Sequence, residues 1–232
     1  MVPMMRRSVV RVPRWRAAVL ASLVLALLGC GSSQPVRPDR FYTLEPAVLE
    51  GPSGSPAPVV LLVNNLGARG FLGGRAIVFR TSDQPLVAQR YEDLLWEDPP
   101  TRSIAHALVT AIRAAEVVGV VVVPADRARF DLLLGGEVER FEHRPTDAPP
   151  RVAATINLAL VRAEDRGTLT SRQYSGEEPV GGDTPDAMAE AFNRLTARLM
   201  AEVVRDLQAL KPRLADQPPA QQAKSDDRFG GK

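Results

Sequence analysis

The sequence predicts a single-domain α/β protein, on three observations. Short apolar runs of strand length are followed by stretches of helical period at residues 101–115 and 184–212. About 175 residues lie between an N-terminal leader with its leash and a polar C-terminal tail, which suits one hydrophobic core. The chain has a single cysteine, Cys30, so no internal disulfide or thiolate metal site can substitute for that core.

Residues 1–16 carry five arginines and no acid, and residues 17–28 are an uncharged run of mostly Ala, Val and Leu. A membrane-spanning helix needs roughly 20 apolar residues, so this shorter run after a basic segment reads as a secretory signal. The run closes on Leu27-Leu28-Gly29-Cys30 rather than a small-x-small cleavage site. The Arg6-Arg7 pair fits twin-arginine export loosely; Sec export fits better. The expected organisation is therefore a signal over 1–29, Cys30 and a tether over 30–39, a folded domain over 40–212 and a disordered tail over 213–232.

Within the domain, residues 40–44 read as a first strand ended by Pro46. Residues 59–63 are a continuous apolar run expected to be buried on both faces. Gly67, Gly70, Gly73 and Gly74 follow. A phosphate-binding loop would need a helix N-terminus next, but residues 75–80 read as another strand, which leaves an inter-strand loop. Residues 82–85 are turn chemistry, and residues 86–91 return as the second arm of a hairpin. Leu95-Trp96-Glu97-Asp98-Pro99-Pro100 leads into a helix capped by Thr101 or Ser103, with Ile104, Leu108, Ile112 and Ala115 on its apolar stripe.

Residues 117–123 form a strand stopped by Pro124. Residues 130–142 form a long one in which Leu132 and Leu134 share a face and Phe141 falls on the other, a conflict that the Gly135–Gly136 pair would correct as a bulge. Residues 152–160 alternate as a half-buried strand, Asp165-Arg166-Gly167 turns the chain, and residues 168–175 pair back antiparallel. Thr184 caps a long helix with Pro185 in its first position, and Pro212 ends it. Its stripe is Met188, Phe192, Leu195, Leu199, Val203, Leu207 and Leu210.

Charge and chemistry exclude several functions. Five of the 29 basic residues lie in the leader, so residues 30–232 hold 24 basic against 27 acidic, a net of −3. No basic run with interleaved aromatics exists, so a nucleic-acid surface is not expected. His106 lies off its helix stripe and His143 lies in another element; two histidines supply neither a zinc site nor a recognisable hydrolase. Glu137, Glu139 and Glu142 read as a solvated strand face rather than paired catalytic carboxylates. Trp96 is the candidate partner contact, with core packing under the first helix as the competing reading.

The Leu-Leu-Gly-Cys segment resembles the lipobox of bacterial lipoproteins, which implies acylation of Cys30. Gly31, rather than Asp, after the cysteine is similar to the outer-membrane sorting signal. Tyr42-Thr43-Leu44, Ile77-Val78-Phe79-Arg80 with Tyr91, the Trp96 segment and residues 131–141 together resemble the ABC-type transport auxiliary lipoproteins, the PqiC-like group. That resemblance implies a TolB N-terminal-like sandwich, a mixed sheet with two helices on one face. It further implies a non-catalytic accessory, without cofactor, that docks an MCE-domain protein working with a permease and an ATPase in intermembrane lipid transport. Homo-oligomerisation is a further expectation. An envelope-assembly lipoprotein serving lipopolysaccharide or secretion machinery is the alternative.

Overall fold

The strand over Leu132–Arg144 organises the molecule, a computed structural model that describes residues 38–47 and 55–215. The leader, Cys30 and the tail from residue 216 lie outside the described residues. In chain order the strands are β1 (Arg40–Tyr42), β2 (Ala57–Val63), β3 (Gly67–Ala68), β4 (Ala76–Phe79), β5 (Gln89–Trp96), β6 (Val118–Val122), β7 (Leu132–Arg144), β8 (Arg151–Arg162) and β9 (Thr168–Pro179). The helices are α1 (Pro100–Ala114) and α2 (Pro185–Ala215).

One edge of β7 pairs along its length with antiparallel β8, which pairs in turn with β9. The other edge is shared by three parallel strands in succession: β2 at Leu132–Leu134, β3 at Glu137–Val138 and β4 at His143. The mixed sheet therefore divides into two wings beyond β7, one of β2 and β6 and one of β4, β5 and β1.

The register of β7 against β8 slips by one residue between Val138 and Arg140. This bulge at Glu139 lets Leu132, Leu134, Val138 and Phe141 all reach the same core. The sequence points to the need for such a correction but puts it at the glycine pair. The glycine at 136 serves instead a close approach: its φ is +159°, and a Cβ there would strike the Asn157 carbonyl.

Both helices pack on the face that buries these residues. On α1, Ile104, Leu108 and Ile112 are fully enclosed, while neither Thr101 nor Ser103 caps the helix; Pro99 holds that position without a side-chain bond. On α2, Thr184 Oγ1 accepts from the Ala187 amide at 3.2 Å, the predicted cap. The helix continues past Pro212 to Ala215, against expectation. The buried Leu214 draws this last turn onto the core, which offsets the hydrogen bond that proline removes.

Other corrections are local. In β2, Ala57, Val59, Leu61 and Val63 are buried while Val60 and Leu62 are only partly so, one buried face rather than two. In β8, Ala153 and Thr155 are buried alongside the predicted core side. Residues 86–88 precede the strand instead of joining it, and β5 runs on to Trp96, which the sequence assigns to the lead-in of α1.

Candidate docking face

On the side of the sheet away from both helices, charged residues of β7 together with Arg69 and Arg80 line an open groove of about 650 Å³, with Thr155 of β8 and Gln173 of β9. Strand alternation puts Glu137, Glu142 and Arg144 on this side, and the bulge adds Glu139 and Arg140 next to each other. Asn157 and Gln173 reach it from β8 and β9.

Most of these charges are paired. Arg69 donates to Glu139 at 2.6 Å and to Glu137 at 3.2 Å. Glu139 also accepts from Asn157 at 3.0 Å. Arg80 Nε donates to Glu142 at 2.8 Å, and that carboxylate is only 7% exposed. Arg144 pairs with Glu177 at 2.9 Å and with Asp147 at 3.2 Å. Glu142 is thus a buried ion-pair member, not part of a solvated face.

Arg140 is the exception. It lines the groove between the Glu139 and Glu142 clusters, has no ion pair among the described residues, and its Nε is buried without a hydrogen-bond partner. A guanidinium is always charged and presents a planar fork of donors suited to a carboxylate or phosphate. An unused fork in an otherwise paired lattice is the feature of this face best suited to an anionic partner group. The sequence reading missed it, although the bulge conflict around Phe141 was a signal that residues 139 and 140 would share a face.

The sequence-predicted residues fall elsewhere. Trp96 is 1% exposed and packs edge-on to Phe192 with ring centroids 5.2 Å apart, and against Phe141 at 5.7 Å. A side chain so enclosed offers no surface to a partner, so Trp96 is a core residue. His106 is exposed on α1, as its position off the stripe predicts. His143 faces the core side, where its Nδ1 lies 2.8 Å from the Tyr91 hydroxyl. Burial lowers its pKa to about 4 and raises that of Tyr91 to about 12. Among the described residues, no group of three or more His, Cys, Asp or Glu side chains could hold a metal ion. None of the described helices is long and apolar enough to cross a membrane. Cys30 lies outside the described residues.

Comparison with solved structures gives the fold independent support. A crystal structure of a protein from Xanthomonas campestris superposes with a TM-score of 0.69 at 21% identity, covering 77% of this chain and 99% of that one. Another crystal structure, of an uncharacterised protein, gives 0.57 at 18% identity and covers 74% and 99% respectively. No curated protein matches the sequence. The family model described as the ABC-type transport auxiliary lipoprotein component matches residues 42–204, from the end of β1 to the middle of α2, and the chain belongs to that family.

Proposed function

We propose that this auxiliary component is a lipid-anchored, non-catalytic docking subunit. In this reading Cys30 carries the acyl chains and holds the domain at the periplasmic face of the outer membrane. The Arg140 groove receives an acidic segment of the MCE-domain protein that works with the transporter's permease and ATPase. The family match supports the transport role. The observation that carries the docking surface is Arg140, which lines the groove without an ion pair among the described residues and whose Nε has no hydrogen-bond partner.

The anchor and the partner are tested separately. Membrane fractionation with metabolic palmitate labelling tests the anchor: the wild type is labelled and sediments with outer membrane, and Cys30→Ser is neither labelled nor retained. Affinity capture from crosslinked envelopes tests the partner: the wild type recovers an MCE-domain protein, and Arg140→Glu does not. Recovery of lipopolysaccharide-assembly or secretion components instead would overturn the reading. Mass photometry of the solubilised lipoprotein reads its copy number and tests the homo-oligomer.

A further inference from the structure

Among the described residues, four of the five large hydrophobic side chains that stand exposed belong to the wing of β4, β5 and β1 or the segments beside it: Phe41, Phe71, Leu86 and Val87. The fifth, Val120, lies on β6 in the other wing. Phe41 pairs across the sheet with Leu95, and Leu95 with Ala76, so these three share one face, opposite the buried Trp96. Phe71 joins Ala76, Leu95, Ala88 and Arg90 around one shallow depression. Leu86 and Val87 immediately precede Ala88. The result is a strip of apolar side chains along β5, interspersed with Gln89, Arg90, Tyr91 and Glu92 in the depression itself.

Both rings on the strip carry a cation. The Arg75 guanidinium stands 4.9 Å from the Phe41 ring centre, and that of Arg90 stands 4.7 Å from Phe71. Glu92 is the acid that lines the same depression. Arginine beside aromatic rings is the chemistry of a lipid–water interface, where rings sit at the acyl boundary and guanidinium groups reach the phosphates.

The tether chooses between a lipid surface and other occupants. Nine residues, 31–39, separate Cys30 from β1, the strand that bears Phe41. Fully extended, they reach about 30 Å. The strip is thus leashed close to the bilayer by the strand it is built on.

We propose that the strip of Phe41, Phe71, Leu86 and Val87 rests on the membrane that holds Cys30, with Arg75 and Arg90 at the headgroup phosphates. This rests on the lipid-anchor reading above. The strip adjoins the Arg140 groove through the loop before β5, where Arg80 donates to the Pro85 carbonyl at 3.2 Å. The docking groove therefore opens beside the lipid surface.

Acylation consumes the chain's one thiol, so an introduced cysteine can be spin-labelled alone. The lipidated protein is reconstituted in phosphatidylethanolamine–phosphatidylglycerol vesicles with labels at Phe41→Cys, Phe71→Cys, Leu86→Cys or the control His106→Cys. Collision with oxygen is compared with collision with a water-soluble nickel chelate. The three strip labels are expected to favour oxygen several-fold over the control. Leu86 is 94% exposed, so its label cannot disturb packing. Strip labels matching the control overturn the proposal. So do labels shielded from both reagents, which would mean that a second protein copy covers the strip. Flotation of the same vesicles reads the anchor separately: unlabelled protein that fails to float refutes lipidation rather than the strip's contact.

Discussion

The Tyr91 hydroxyl and His143 Nδ1 are held 2.8 Å apart, with Phe79 stacked on Tyr91 at a 4.5 Å centroid distance. The other ring nitrogen of His143 is buried without a partner. The pair couples β4, β5 and β7 at the point where the second wing joins the central strand.

The burial of His143 makes stability depend on pH. His143 stays neutral in the folded state because burial lowers its pKa from 6.5 to about 4. The unfolded chain therefore takes up a proton first as the pH falls. The contribution is fully present above 6.5 and is lost between 6.5 and about 4, by about 3 kcal/mol at most. Urea melts across this range should show a steeper loss for the wild type than for His143→Gln. Parallel curves would contradict the buried neutral imidazole.

Gly136 and its neighbour Gly135 should respond differently to alanine. A Cβ at 136 strikes the Asn157 backbone, whereas one at 135 meets the movable Leu133 side chain at 3.2 Å. Gly136→Ala is expected to cost about 2–4 kcal/mol, and Gly135→Ala under about 1 kcal/mol. Thermal denaturation of the two variants checks the order.

Trp96 forms a three-ring cluster with Phe141 and Phe192 beneath α2. Trp96→Ala should cost about 3–5 kcal/mol. His106→Ala, on the exposed side of α1, should fall within about 0.5 kcal/mol of the wild type. A mild Trp96→Ala would restore Trp96 as a candidate surface contact.

The helices were the most legible part of the sequence, because 3.6-residue periodicity over four or more turns overdetermines which side is buried. The Ile104–Leu108–Ile112 stripe and the Met188–Leu207 stripe both lie in the core as read. Strand ends were less legible. Trp96, placed before two prolines, carries no local mark of strand or loop, and only its pairing with Tyr42 decides. The Phe141 register conflict was visible, but its position depends on pairing with β8, which no local signal encodes. The groove was hidden for the same reason. Arg69, Arg80 and Arg140 are far apart or unremarkable in sequence and meet only because three strands share one edge of β7.

Docking of the transport partner on the Arg140 face, as proposed above, has a consequence in living cells. The most direct measurement is site-specific photocrosslinking in living cells, with a photoreactive residue at Gln173 beside the groove and at His106 as control. The expected result is an adduct with the MCE-domain protein from position 173, none from 106, and loss of the 173 adduct in Arg140→Glu with the lipoprotein level unchanged. An MCE adduct that forms equally from position 106, or persists undiminished in Arg140→Glu, would contradict it.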